Sequence, residues 1–164
     1  MNASDSKRDL SFSTQIDWDT GRVSTSSMLT PTGDLATVSG MAKLRQWVTK
    51  WMLTPRGSTW MSPDYGNPLI DQVRRENGAR CLLDMAVEAQ QYFRALQAGE
   101  NKDLPPEDRL AAFEDIHFWF GPKAELQGSC PPAAFITLCC TILAESGERC
   151  EFRLPFRFVG ASRC

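Results

Sequence analysis

The residue types that could carry out catalysis in this 164-residue chain are few and scattered. His117 is the single histidine, which leaves a zinc site short of ligands and a general base with one candidate. Two pairs of neighbouring carboxylates occur, Glu107/Asp108 and Glu114/Asp115. Glycoside hydrolysis needs two carboxyl groups about 5 to 9.5 Å apart across a cleft, which neighbours in sequence do not establish. We therefore predict no catalytic residue, no metal ligand, no cofactor and no small-molecule substrate.

Sequence motifs for other catalytic classes are also missing. The chain has no G-x-S-x-G, no phosphate-cradling glycine loop and no H-E-x-x-H. None of the six cysteines forms a C-x-x-C pair, and Cys139 and Cys140 are adjacent, so on a strand they would face opposite sides of the sheet. The polar N-terminus lacks the apolar block of a secretory signal. We therefore predict reduced thiols that act mostly as small hydrophobes in a protein made in the cytoplasm.

The composition is typical of one globular domain. The hydrophobic fraction is 42% and the charged fraction 23%, close to ordinary averages. A formal net charge of −2 is far from the basic footprint that nucleic-acid binding requires. No stretch approaches 18 uncharged apolar residues, so we predict neither a membrane span nor a nucleic-acid partner.

Helical periodicity dominates the middle of the chain. The first helix is predicted from Ser39 to Leu53, with the Ser39 hydroxyl as its N-cap and with Lys43 and Lys50 off the apolar face. It ends before Pro55. A compact loop then leads to a second helix from 79 to 98, whose predicted buried side consists of Leu82, Leu83, Ala86, Val87, Phe93 and Leu96.

The last third of the chain alternates as β-strands do. Strands are predicted over 113–120, 133–143 and 150–158, with a glycine turn at 144–149 between the last two. In the first of these, Ile116, Phe118 and Phe120 are predicted on one side of the strand. Helices followed by an antiparallel hairpin indicate an α+β fold, in which the N-terminal helices pack on a small, mainly antiparallel C-terminal sheet. We divide the chain into an extended, partly flexible arm, 1–28, and one domain, 29–164.

Pro155 lies inside the last predicted strand. Proline lacks the N–H that a central strand must donate, so this strand is predicted at an edge of the sheet or at a bulge. On the face opposite Phe152 and Leu154 the strand carries Glu151, Arg153, Pro155 and Arg157. These residues either keep the edge from pairing with the wrong chain or select a partner that adds its own strand.

One block of sequence is more specific than these patterns. It comprises 29–36, Val38-Ser39-Gly40, Leu44-Arg45-Gln46, 52–57 and 63–69. This block resembles the baseplate sheath-initiator family of contractile phage tails, which also occurs in type VI secretion and related injection systems. The motif residues that carry the likeness are Thr54, Pro55, Arg56, Gly57, Asp64, Tyr65 and Gly66.

The resemblance implies a structural subunit of the virion tail baseplate. Members of the family often carry a Glu-Pro-Arg triplet that grips the core bundle of the baseplate wedge, and Glu107 and Arg109 occupy the nearest matching positions. An exposed ion-pair cluster is the alternative for these two residues. The family also implies that the edge strand exchanges strands with the first sheath ring, in six copies around the tail. The implied partners are the tail sheath protein, the baseplate wedge and hub proteins and possibly the tail tube.

Two functions from different classes follow. A sheath initiator would have an exposed C-terminal edge and tight sockets for Trp60 and Tyr65. A tail-associated peptidoglycan hydrolase, the alternative, would have two carboxyl groups facing each other across a groove. We expect the first, and expect no enzymatic activity.

Overall fold

In its described residues the fold combines two α-helices with three small antiparallel sheets. The computed structural model describes residues 9–17, 22–70, 79–99, 102–121 and 135–157. In chain order its elements are strands β1 (Asp9–Leu10), β2 (Phe12–Asp17), β3 (Arg22–Ser27) and β4 (Thr37–Val38), helices α1 (Gly40–Leu53) and α2 (Ala79–Ala98), a 3₁₀ turn (Pro106–Asp108), and strands β5 (Leu110–Gly121), β6 (Phe135–Ala144) and β7 (Arg149–Arg157). The predicted α+β class is confirmed.

The three C-terminal strands form the main sheet, in the order β5-β6-β7. The central strand β6 is almost wholly buried, as expected of its continuous apolar run. Both helices pack against the sheet, and one core joins Leu44 and Trp51 of α1, Phe93 of α2, and Leu138 and Phe152 of the sheet. The predicted strand and helix positions are therefore confirmed to within a few residues.

The start of α1 differs from the prediction. Ser39 is the N-cap residue, with φ −143° and ψ 170°, but its hydroxyl makes no capping hydrogen bond. The carboxylate of Asp108 accepts the Gly40 N–H instead, at 2.7 Å. Lys43, predicted off the apolar face, is buried and forms an ion pair with the same carboxylate. The N-cap position is confirmed, but the predicted capping by the Ser39 hydroxyl and the predicted place of Lys43 off the apolar face were wrong, because Asp108 supplies the acceptor and the counter-charge.

Helix α2 has the predicted bounds but a narrower buried face. Leu82, Ala86 and Phe93 are buried as expected, whereas Leu83 and Val87 are 44% and 46% exposed. Consecutive residues such as 82 and 83 point in directions about 100° apart on a helix, so packing against one sheet buries only one of them here. The prediction was wrong for these two residues.

A β-bulge shifts the alternation in β5. Asp115 has φ +53°, and between Glu114 and His117 the strand has one more residue than β6. Ile116 and Phe118 pack against the core as predicted, while the bulge also brings Phe113 onto the core side. The side chain of Phe120 lies outside the described residues.

The N-terminal segment contains two small antiparallel ribbons. β1 pairs with β4, and β2 pairs with β3 from Phe12↔Ser27 to Asp17↔Arg22. Residues 1–8 and 18–21 lie outside the described residues. The predicted mobility of this arm in the free subunit stays a prediction.

Candidate interaction surfaces

Among the strands that the structure describes, β7 has a neighbour on one side only, as Pro155 predicted. The Ala144 N–H donates to the Glu148 carbonyl at 2.9 Å, and the pairing then runs without a bulge to Phe135↔Arg157. Main-chain groups of alternate residues point to opposite sides of an antiparallel strand. The even-numbered residues therefore bond to β6, and the odd-numbered ones direct their N–H and C=O groups to the open side. Pro155 is odd-numbered, so its missing N–H costs the β6 ladder nothing.

On the side of β7 that faces away from β6, backbone N–H donors are available up to Pro155. Within the described ranges, no strand pairs with the outward N–H groups of Arg149, Glu151 and Arg153. The side chains of Glu151 and Arg153 are exposed and form an ion pair at 3.2 Å. Pro155 itself is buried, so it acts through its backbone. The side chain of Arg157 lies outside the described residues.

A groove of 280 Å³ lies beside this edge. Its walls come from β2, from α1 and from β7. They mix apolar and polar groups, with Phe12 and Ile16 from β2, Arg45 and Gln46 from α1, and Leu154 from β7 among them. The groove is therefore amphipathic and lies against residues 152–154 of β7.

The predicted motif residues build one closed loop between the two helices. Pro55 bridges to Asn67, and the Asn67 N–H donates to the Thr54 carbonyl at 2.7 Å. Gly66 has φ +105°, and a Cβ there would lie 2.5 Å from the Thr54 oxygen, so this position requires glycine. Gly57 also has a positive φ, +81°, but nothing lies within 4 Å of its Cβ position. The motif thus maintains the geometry of the loop base.

The side chains of the loop divide into a packed and an exposed set. Tyr65 stacks edge-on to Tyr92 with ring centroids 6.1 Å apart. Burial first, and then Tyr92 and Asp9, raise the pKa of Tyr65 to about 12. Arg56 and Asp64 form an exposed ion pair at 3.2 Å across the loop.

Trp60 does not occupy a socket within this chain. It is 89% exposed, and its neighbour Met61 is 76% exposed. The predicted socket was wrong because the loop turns its tip away from the core, while the loop base is fixed by Asn67. An exposed Trp on a fixed loop is typical of a protein-binding anchor.

Glu107 and Arg109, both partly exposed, flank Asp108, which is buried. Arg109 forms an ion pair with Glu145 at 2.9 Å, and Glu107 is half-buried beside the Gly40 end of α1. Asp108 between them is fully buried and binds Lys43 Nζ at 2.6 Å. The turn is therefore fixed through Asp108, and it presents Glu107 and Arg109 on either side. Whether these two residues bind a partner stays a prediction.

Two of the four carboxylates considered for hydrolysis form ion pairs. Glu114 accepts from Arg149 at 3.0 Å, and Asp108 is held by Lys43. Asp115 lies in the β5 bulge on a shallow depression of 220 Å³, which it shares with Glu151. That depression is on the outer face of the sheet, where the Arg153 ion pair engages Glu151.

The same depression includes His117 and two thiols. Burial raises the pKa of Cys139, and it raises the pKa of Cys140 to about 12, so both are held as thiols and not as nucleophilic thiolates. The His117 ring nitrogen Nδ1 lies 2.8 Å from the Asp115 carbonyl oxygen. The four cysteines in the described ranges are free; Cys130 and Cys164 lie outside them. Within those ranges no group of three His, Cys, Asp or Glu residues could hold a metal ion.

Sequence reasoning missed the Lys43–Asp108 pair and the position of the N-terminal ribbon beside β7. The predicted site residues fall into three separate surfaces: the β7 edge, the 54–68 loop and the 3₁₀ turn. Neither described helix combines the length and apolar character needed to cross a bilayer.

Comparison with known proteins yields one structural likeness. No family model matches the chain, and no curated protein matches it. A crystal structure at 1.44 Å resolution of a "putative tail lysozyme" from Geobacter sulfurreducens superimposes with a TM-score of 0.45 at 18% identity, covering 77% of this chain and 100% of that one. A likeness of this size carries no argument about function.

Proposed function

We propose that the chain is a structural baseplate subunit of a contractile phage tail. In this role it links the baseplate wedge and hub to the first sheath ring and starts sheath assembly by accepting a sheath strand. The open edge of β7 is the observation that carries this proposal. The motif block across 29–69 connects that edge to the sheath-initiator family.

Strand addition suits this edge for a physical reason. An incoming strand would find the outward N–H groups of Arg149, Glu151 and Arg153 at regular spacing, and each main-chain hydrogen bond contributes about 1 kcal/mol net. The missing donor at Pro155 would end the pairing at one defined residue, which fixes the register of the incoming strand. A defined register is what a template for a repeating polymer requires.

The other two surfaces suit contacts with wedge or hub proteins. Trp60 and Met61 form an apolar tip on a loop whose base is fixed by hydrogen bonds. Aromatic residues in such positions commonly dominate binding energy. Glu107 and Arg109 are the residues we assign to the wedge bundle, by resemblance alone.

We also propose that the chain is not a hydrolase. Ion pairs occupy oxygens of Asp108, Glu114 and Glu151. Loss of turbidity from a cell-wall suspension with the purified protein, abolished by Glu107→Gln or Glu114→Gln, would contradict this proposal.

A pair of substitutions at Arg153 tests strand addition. Arg153→Pro removes one outward N–H without touching the β6 ladder, whereas Arg153→Thr removes the same charge and keeps the N–H. We expect co-expressed cognate sheath protein to assemble on baseplates that carry the threonine variant and to fail on those that carry the proline variant. Circular dichroism checks that both variants fold. Equal sheath assembly on both would contradict strand addition at β7.

A further inference from the structure

The β2–β3 hairpin stands in the way of the strand that the proposed function requires. Cα atoms of β3 come within 8 Å of Cα atoms of β7, although the two strands do not pair. Neighbouring strands in a sheet are about 4.8 Å apart, so a strand inserted between two others needs about 9.6 Å. At its closest approach the hairpin is nearer to β7 than this spacing.

The β3 strand of the hairpin has few buried contacts with the rest of the molecule. All but one residue of β3 are exposed, and that residue, Val23, packs against the edge of the core. Its cross-strand partner Ile16 is half-buried. Such small apolar burial contributes little stability, and elements with few buried contacts open separately from the core.

Two side chains of α1, Gln46 and Lys50, contact the base of the hairpin, and Lys50 Nζ lies 4.2 Å from the centre of the Phe12 ring. Gln46 Oε1 accepts the Phe12 N–H at 2.9 Å, and Gln46 Nε2 donates to the Leu10 carbonyl at 2.7 Å. Beside it, Trp47 Nε1 donates to Asp9 at 2.7 Å. These bonds fix the point where the ribbon meets α1, while Phe12, Thr14 and Ile16 of β2 line the groove.

We propose that the β2–β3 hairpin is a displaceable cover of the β7 edge, and that an extended segment of a partner protein takes its place. This inference rests on the proposed function. The hairpin keeps the outward N–H groups of β7 from pairing with other chains. It is displaced by a segment whose side chains fit the groove and the outer face of β7 better than those of the hairpin.

The surroundings of the edge define that segment. Alternate side chains of a strand beside β7 would enter the groove against Phe152 and Leu154, so they are apolar. The other side chains would lie on the outer face next to Glu151 and Arg153, so they include an acidic residue opposite the arginine. The partner is thus an extended protein segment that alternates apolar with polar or acidic residues and ends its pairing at Pro155.

Hydrogen exchange of the full chain tests the cover. We expect amides of the β2–β3 ladder to exchange at least about a hundredfold faster than those of β6, because the hairpin opens by itself. Gln46→Ala removes two hydrogen bonds and raises hairpin exchange by about tenfold without changing β6. Trp47→Phe, which removes the hydrogen bond to Asp9, should also raise the exchange rate of the hairpin amides. Gln91→Ala, at an exposed position of α2, is the matched control and should change neither the hairpin exchange rate nor that of β6.

A labelled nine-residue peptide that alternates valine with threonine and glutamate tests the link to binding. We expect it to associate about tenfold faster with Gln46→Ala than with the unchanged chain, and not to bind Arg153→Pro. Equal association rates, or hairpin amides that exchange only together with β6, would overturn the cover and leave strand addition intact. Absence of binding to every variant that keeps the Arg153 N–H would count against strand addition itself.

Discussion

Neutralising Asp108 should destabilise the protein more than any other single charge change in its described part. The Lys43 and Asp108 side chains are 2% and 0% exposed, and their N–O distance is 2.6 Å. Asp108→Asn keeps an oxygen that can accept the Gly40 N–H but removes the negative charge that faces the buried Lys43 ammonium at 2.6 Å. Loss of one partner from a buried pair costs about 3 to 5 kcal/mol.

The size of this loss can be compared with the total stability. Domains of this kind are stable by about 5 to 15 kcal/mol, so the variant should still fold but lose a large share of its free energy of unfolding. With a urea dependence of about 2 kcal/mol per molar, the midpoint should fall by about 2 M. Asp108→Ala should lose about 1 kcal/mol more, because the acceptor for Gly40 is also removed.

Urea denaturation followed by tryptophan fluorescence measures this effect. Asp103→Asn, at an exposed position five residues away, is the control and should change stability by less than about 0.5 kcal/mol. Lys43→Met combined with Asp108→Asn should recover most of the loss, since no buried charge remains unpaired. If Asp108→Asn behaves like Asp103→Asn, then the ion pair does not hold α1 to the 3₁₀ turn.

Three further perturbations have defined outcomes. Gly66→Ala should cost about 2 kcal/mol or more in urea unfolding, because of its clash with Thr54, while Gly57→Ala, with open space at Cβ, should cost about 1 kcal/mol; equal losses would refute the clash. Trp60→Ala should change the free energy of unfolding by less than about 0.5 kcal/mol but weaken binding to the wedge or hub protein by about 30-fold in calorimetry; unchanged affinity would exclude an anchor role. Because the folded pKa of Tyr65 is raised to about 12, its stabilising contribution should be fully present below pH 10 and decline from there to pH 12; absorbance titration should show this late ionisation, and Tyr65→Phe should remove it.

The sequence carried enough local information for the helices and the edge strand. The α2 bounds follow from helical periodicity and a terminal glycine, and the position of β7 follows from Pro155 alone, because a missing donor is tolerated only where no ladder needs it. These features depend on residues close together in the chain. The corresponding structural predictions were therefore confirmed.

The features that could not be predicted depend on distant contacts. Lys43 lies on the buried side of α1 only because Asp108, 65 residues later, reaches the same point. The bulge at Asp115 shifts a strand whose plain alternation gave no sign of it. The β2–β3 hairpin and β7 are far apart in the sequence but lie close together in the fold. A local sequence pattern does not indicate which distant elements will meet.

A particle reconstruction of this chain with its cognate tail sheath and baseplate wedge proteins tests strand addition most directly. We predict the chain at the top of the baseplate, with a sheath strand paired to the outward N–H groups of Arg149, Glu151 and Arg153 and with the β2–β3 hairpin moved off the edge. A chain that joins the particle with no sheath strand paired to its β7 edge, or one that never joins it, would contradict the proposal.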